Sequence, residues 1–108
     1  MYARTTLVEI DTVRTSMQQA LQLFKEQVLP GLQRQDGYLG VFVFTTPEGR
    51  GMIVSLWDSE EASARAGTFA TGALERHMML FRAPPGRETY EVVLAEAPAE
   101  LAGVRARA

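Results

Sequence analysis

The chain has 108 residues, of which 46% are hydrophobic and 22% charged, with a formal net charge of -2. This length and composition are typical of one globular domain and exclude a disordered chain. The acidic balance, with arginines scattered along the chain, argues against nucleic acid as a partner, and the absence of cysteine excludes disulfides, thiolate metal ligands and thiol chemistry.

Nothing in the sequence is typical of targeting to a membrane or of crossing one. The first residues, Met1 to Thr6, lack the apolar run and the cleavage site of a signal peptide. The longest apolar runs are a handful of residues, far short of a membrane span. We therefore expect a cytoplasmic protein with no membrane partner.

The first third of the chain predicts a strand and then an amphipathic helix. The mixture of Thr, Leu, Val and Ile from about Ala3 to Ile10 is typical of a strand. Apolar residues then recur at steps of three and four, which predicts a helix with one core-facing stripe. The stripe contains Val13, Met17, Ala20, Leu21, Phe24, Val28 and Leu32. Pro30 lacks a backbone donor, so we expect a kink or an end of the helix near Leu29.

The middle of the chain predicts a hairpin and a second helix. The segments Tyr38 to Thr45 and Met52 to Trp57 are strand-like, and the residues between them are typical of a turn. Asp58 and Glu61 have the spacing of a capping box, so a helix should begin there. We expect this helix to continue to about Phe81, where a proline pair follows.

Glu88 to Ala95 predicts a fourth strand, which completes the order β-α-β-β-α-β. This is the ferredoxin-like split βαβ arrangement, an α+β fold with two helices on one face of a four-stranded antiparallel sheet. Residues 1–95 would form this domain. Residues 96–108 would form a C-terminal tail, either loose or a short helix.

Two of the predicted strands are apolar on both faces, which is more than one layer of helices can cover. In the second strand, alternation puts Leu39, Val41 and Val43 on one face and Tyr38, Phe42 and Phe44 on the other. In the third strand, it puts Met52, Val54 and Leu56 opposite Ile53, Ser55 and Trp57. In the last strand, it puts Tyr90, Val92 and Leu94 opposite Glu91, Val93 and Ala95. Exposing even four such side chains would forgo about 1.5–3 kcal/mol each. We therefore expect a homodimer that pairs the two open sheet faces. The alternative is a C-terminal tail folded over that face.

Five stretches carry a family resemblance. They are Arg4, Val28-Leu29-Pro30, Asp36-Gly37-Tyr38-Leu39-Gly40, Ser55-Leu56-Trp57-Asp58-Ser59-Glu60-Glu61-Ala62 and Tyr90-Glu91-Val92-Val93. In this element order the chain resembles the antibiotic biosynthesis monooxygenase domain family of the dimeric α/β-barrel superfamily, over about Ala3 to Ala95. The resemblance implies a sheet-to-sheet dimer. It also implies a fold that is shared by three kinds of protein: oxygenases of aromatic polyketides and quinols that use no metal or flavin, haem-degrading enzymes, and proteins with no known reaction.

Oxygenation without a cofactor needs a substrate that becomes an electron-rich anion, a dry aromatic-lined pocket and a group that takes a proton. The candidate pocket residues are Phe24, Phe42, Phe44, Trp57, Phe69, Met78, Phe81 and Tyr90. Each can equally be part of the ordinary core. Alternation places Phe42 and Phe44 on one face of the sheet, and that face meets either the helices or a partner.

His77 is the only histidine and the candidate catalytic residue. Imidazole readily exchanges a proton near neutral pH, so His77 could accept the proton of a substrate; the alternative is a histidine at a helix surface or a core edge. Haem-degrading relatives imply an Asn before the first-strand Arg, a Trp in the second helix and a His later in that helix, and His77 would be an iron ligand if haem bound. This chain has Ala3 and Ala66-Gly67 at the first two places, and only His77 is close to the third, so we do not expect haem degradation. We expect no metal and no cofactor.

The leading hypothesis is a cofactor-independent monooxygenase-like protein that binds a small aromatic or quinone-type molecule between sheet and helices. The first alternative is a non-catalytic ligand-binding or stress-related protein of the same superfamily. The second is a small isomerase or lyase, which would need a paired acid and base. Several polar groups around a cavity would favour an enzyme, whereas a cavity filled by Phe and Met would favour a binding role.

Overall fold

The chain forms a four-stranded antiparallel sheet with two helical segments. The computed structural model describes residues 1–77, 81 and 86–96. The strands are β1 (Tyr2–Glu9), β2 (Tyr38–Thr45), β3 (Arg50–Trp57) and β4 (Gly86–Glu91), in the spatial order β2-β3-β1-β4. The predicted α+β class and the predicted order of strands and helices along the chain are confirmed. The predicted tail falls almost wholly outside the described residues.

The first helical segment contains two α-helices joined by a wider turn. Helix α1 (Met17–Leu23) is followed by a π-helical turn (Phe24–Val28) and by α2 (Leu29–Gln33). Pro30 lies in the first turn of α2, where its missing N–H costs least. Of the two predicted outcomes, an end near Leu29 is wrong, because helical residues continue to Gln33. The irregularity lies just before the proline, where a widened turn moves the helical bonds by one residue.

Ser16 sets the start of α1. Its hydroxyl accepts from the Gln19 amide at 3.1 Å, and the Gln19 side chain accepts from the Ser16 amide at 3.0 Å. This reciprocal capping box satisfies two backbone donors that the helix cannot pair itself. Val13, which we expected on the core-facing stripe, instead precedes the helix and is 90% exposed.

A β-bulge in β2 changes the face on which Tyr38 lies. Tyr38 pairs with Trp57, but Gly40 pairs with Leu56, so one extra residue is inserted between them. Tyr38 therefore lies on the helix side of the sheet, edge-on to the Trp57 ring with centroids 5.7 Å apart. The expectation that Tyr38 shares a face with Phe42 and Phe44 is wrong, because simple alternation does not anticipate the bulge.

Helix α3 (Glu60–Glu75) begins one residue later than the sequence pattern indicated. The cap is Ser59, whose hydroxyl accepts from the Ala62 amide at 3.1 Å. Asp58 instead donates its backbone N–H to the Gly37 carbonyl at 2.9 Å, which ties the start of β2 to the end of β3. The helix also ends earlier than expected, and Phe81 forms an isolated antiparallel bridge with Ile10.

Small residues on α3 let it pack closely on the sheet. Ala62, Ala66 and Ala73 are buried, and Trp57 at the end of β3 has no exposed surface. Phe69 extends from α3 across to α2, where its ring lies directly against Gly31. The core thus forms where α3, α2 and the Trp57 end of the sheet meet, which leaves the opposite end less filled.

Candidate functional site

A cavity lies between the sheet and the first helical segment, at the less filled end. The sheet contributes Val8, Val43 and Ile53, and the helical segment contributes Met17, Leu21 and Phe24 among others. Its volume is about 60 Å³, and its walls are almost wholly apolar. Water gains few hydrogen bonds in such a space, so an apolar ligand can displace it at little cost.

The register of the sheet explains why these side chains meet. Val43 and Thr6 both pair with Ile53, so these three residues share one face of three neighbouring strands. Thr6 is only 5% exposed, which identifies that face as the one that the helices cover. One row further along, Gly51 stands opposite Val8, whose Cγ2 methyl group would lie 3.0 Å from a Cβ added at Gly51.

The π-helical turn forms part of the helical wall. Phe24 opens the turn and Val28 closes it, and both line the cavity. The amide of Leu29 donates to the Phe24 carbonyl, one residue further back than in an α-helix. Such turns occur frequently at functional sites, because they redirect side chains that a regular helix would place elsewhere.

His77 and Phe81 line the cavity at its far end. His77 follows the end of α3 and is partly buried, and Phe81 is held by its bridge to Ile10. Among the described lining residues, His77 is the one titratable side chain, and Thr45 is the one other side chain with a polar group. Proton exchange with a ligand in this cavity would therefore involve His77.

The structure brings together three of the predicted site residues, Phe24, His77 and Phe81. Trp57 and Phe69 belong to the core around α3 instead. The remaining three are Phe42, Phe44 and Tyr90, which point away from the helices. Met78 lies outside the described residues.

Phe42, Phe44 and Tyr90 belong to the open face of the sheet. Phe42 and Phe44 stack with ring centroids 6.1 Å apart, and Phe44 is 55% exposed. Tyr90 pairs with Ala3 across the β1–β4 ladder and is also exposed. These residues can contact a ligand only from the side of the sheet opposite the cavity.

Sequence reasoning did not single out the aliphatic wall of the cavity. Val43 and Ile53 were assigned to strands but not to a site, since nothing in their type separates a cavity wall from packed core. The alternation of side chains along β2 does help, because it places Val43 on the face opposite Phe42 and Phe44. Once Trp57 identifies the helix side, the same rule predicts Val43 and Ile53 as wall residues.

Among the described residues no group of three or more His, Cys, Asp or Glu side chains is placed to hold a metal ion. No helix within the same part of the chain is long and apolar enough to cross a membrane. The cavity thus offers apolar surface, one imidazole and one hydroxyl as its chemistry.

Comparison with known proteins relates this architecture to solved structures. No protein-family model matches the chain, and no curated protein sequence matches it. A proposed antibiotic biosynthesis monooxygenase from Deinococcus radiodurans superimposes with a TM-score of 0.72 at 17% identity, over 91% of this chain and 98% of that one. SnoaB, a cofactor-independent oxygenase from Streptomyces nogalater, gives 0.70 at 9% identity, over 87% and 94%.

A third similar structure is the monooxygenase ActVA-Orf6 of Streptomyces coelicolor in complex with nanaomycin D. It gives a TM-score of 0.66 at 15% identity and covers 91% of this chain and 92% of that one. The chain has the fold of the antibiotic biosynthesis monooxygenases. At these identities the likeness establishes the monooxygenase-like fold, over nearly the full length of each protein.

Proposed function

We propose that the protein is a cofactor-independent monooxygenase-like enzyme that takes a small aromatic or quinone-type substrate into the cavity between the sheet and the first helical segment. The observation that carries the proposal is the apolar cavity with His77 as its one titratable lining residue among those described. The fold adds support, because similar structures include a cofactor-independent oxygenase and a monooxygenase in complex with nanaomycin D.

In this proposal the cavity supplies a proton acceptor and apolar walls, which are sufficient for oxygenation without a cofactor. His77 accepts a proton from the substrate, an anthrone for example, and leaves a carbanion that is delocalised as an enolate. That anion reduces dioxygen directly, so one oxygen atom enters the carbon as a ketone and the other leaves as water. The apolar walls exclude bulk water from the anion while this occurs. The atoms balance as anthrone plus O₂ giving anthraquinone plus H₂O.

The size of the cavity sets a condition on substrate entry. Its volume of about 60 Å³ is well below the roughly 300–1,000 Å³ of typical ligand pockets. A bicyclic or tricyclic substrate therefore requires movement of wall residues. Phe24 and Phe81 are the large side chains placed to move, since each is only partly buried.

Oxygen consumption tests the proposal. The purified chain is mixed with anthrones and hydroxynaphthoquinones, and uptake is compared for wild type, His77→Ala and Arg76→Ala. Arg76 is the exposed neighbour of His77, so its variant controls for the loss of a basic side chain beside the cavity. We expect uptake that falls about 10²-fold or more in His77→Ala and little in Arg76→Ala. No uptake above the protein-free rate on any of these substrates would refute the proposed activity for them.

The almost uniformly apolar wall favours a second candidate, a non-catalytic binding protein. Such a protein would bind the same aromatic compounds and consume no oxygen. Equilibrium dialysis combined with oxygen uptake separates the two candidates, because dialysis reports binding whether or not turnover occurs. An isomerase or lyase would need an acid and base pair, and the described lining offers His77 alone as a titratable group.

We further propose that the protein is a homodimer that pairs the open sheet faces. Four large apolar side chains stand exposed on that face, namely Leu7, Phe44, Met52 and Tyr90. Phe42, Val54 and Leu56 lie between them and extend the same patch. A contiguous apolar patch of this kind marks an interaction surface, and a two-fold partner would cover it with its own copy. Sedimentation equilibrium at micromolar concentration should give the mass of a dimer.

A further inference from the structure

We propose that Arg4 and Arg87 form a binding subsite for an oxyanion group, a carboxylate or a phosphate, at the β4 edge of the sheet beside α3. This subsite is separate from the described wall of the apolar cavity. Its test therefore stands or fails independently of the proposed oxygenase activity. The Arg4 guanidinium is held in an unusual position against a helix.

The Arg4 side chain lies under α3, in space that a glycine leaves open. A Cβ added to Gly67 would lie 2.5 Å from Nη1, 2.7 Å from Cζ and 3.1 Å from Nη2 of Arg4. The guanidinium therefore packs directly on the helix backbone, and any larger residue at position 67 would displace it. A glycine usually weakens a helix, but the missing side chain of Gly67 leaves the space that the Arg4 guanidinium occupies.

Among the described residues, no carboxylate compensates the charge of Arg4. Its Nε is buried and has no hydrogen-bond partner. Burial lowers the pKa of Arg4, and the charge of Arg87 lowers it further, with no acidic group acting in the other direction. Arginine nevertheless keeps its charge at neutral pH, so an unpaired cation sits in a partly desolvated place.

Arg87 brings a second positive charge to the same place. Arg87 pairs with Thr6 and Thr89 pairs with Arg4, so the two arginines are diagonal neighbours on the helix side of the sheet. Like charges this close repel each other, and within the described chain no ion pair with a carboxylate neutralises either of them. Arg87 is exposed on the edge strand, which gives a ligand access from solvent.

Ser63 adds a neutral donor that has no partner. It is 0% exposed, and its hydroxyl forms no hydrogen bond. Ser63 precedes Gly67 by one helical turn, so both lie on the face of α3 that meets Arg4. Two forked cationic donors are the groups that recognise a planar or tetrahedral oxyanion, and the unpartnered Ser63 hydroxyl lies one helical turn from the residue on which Arg4 packs.

Titration followed by ¹H–¹⁵N NMR tests the subsite. The probes are sodium benzoate and inorganic phosphate at constant ionic strength, with benzyl alcohol as the neutral control. We expect saturable shifts of the Arg4 Nε–H and Gly67 amide signals with at least one anion and none with benzyl alcohol. Benzoate alone would identify a carboxylate site, and phosphate alone a phosphate site.

Variants decide whether the two arginines are responsible. Arg87→Gln and Arg4→Gln should each weaken the anion about tenfold or more. Arg34→Gln, which removes an exposed arginine at the end of α2, should change affinity less than twofold. Arg87 is exposed on the edge strand, so its variant should fold even if Arg4→Gln does not. The absence of saturable shifts with both anions, or equal binding by Arg87→Gln and Arg34→Gln, would overturn the proposal.

Discussion

Replacing Phe44 by lysine should dissociate the proposed homodimer. Phe44 lies on the open sheet face and is 55% exposed in the single chain. Full burial of a phenylalanine side chain stabilises by about 1.5–3 kcal/mol, so burial of the exposed part in a dimer would contribute about 1–1.5 kcal/mol. A two-fold interface contains this residue twice, which gives about 2–3 kcal/mol. The dimer dissociation constant should therefore rise by about 30- to 150-fold, and burial of the lysine charge would add to this.

Sedimentation velocity over a concentration series measures this dissociation constant for wild type, Phe44→Lys and Val13→Lys. Val13 is the matched control, because it is 90% exposed and lies in the loop before α1. Circular dichroism must show that Phe44→Lys stays folded, since the stacking contact with Phe42 is also lost. Equal dissociation constants for Phe44→Lys and Val13→Lys would refute the reasoning, because the open face could then not be the interface.

Three further predictions concern stability. Gly31→Ala should lower the free energy of unfolding by about 1–3 kcal/mol, because the new methyl group overlaps the Phe69 ring. Gly72→Ala should raise it by about 0.5–1 kcal/mol, because among the described residues no atom outside the helix's own backbone lies within 4 Å of the added Cβ. Urea unfolding that ranks the two variants the other way would contradict the packing described. Ser16→Ala should cost about 1 kcal/mol through loss of the α1 cap, and an unchanged urea midpoint would contradict that role. Burial raises the pKa of Tyr38. The stability that the neutral, buried Tyr38 hydroxyl contributes is therefore complete below about pH 10 and is lost as pH rises through the pKa of the folded state. Urea unfolding between pH 8 and 11.5 should show wild type losing more stability than Tyr38→Phe, and parallel pH profiles of the two proteins would argue against the burial.

The order of elements and the two faces of β3 could be predicted from sequence, because both follow from period and spacing. Ile53, Ser55 and Trp57 do lie opposite Met52, Val54 and Leu56. The predictions that are wrong concern local backbone geometry. The bulge before Gly40 and the π-helical turn each add one residue to a regular pattern, and neither follows from residue type. The cap of α3 was misplaced by one residue, since Asp58 and Ser59 are both good caps and only the tertiary contact with Gly37 separates them.

The candidate site was less predictable than the fold. Aromatic residues were selected by type, and the structure distributes them over the cavity, the core and the open face. In the sequence, Arg4 stands out only as part of a family resemblance, and Gly67 only as a residue at the place where haem-degrading relatives have a tryptophan. Their contact joins residues 63 positions apart in sequence. Such a pairing depends on the packing of α3 on β1, which no local pattern encodes.

Isotope labelling tests the central claim most directly. The chain is incubated with an anthrone under ¹⁸O₂, and product and water are analysed by mass spectrometry. The account predicts one ¹⁸O atom in the anthraquinone and one in water, with the labelled product strongly reduced in His77→Ala and retained in Arg76→Ala. Labelled product at the protein-free rate, or equal amounts from wild type and His77→Ala, would contradict it.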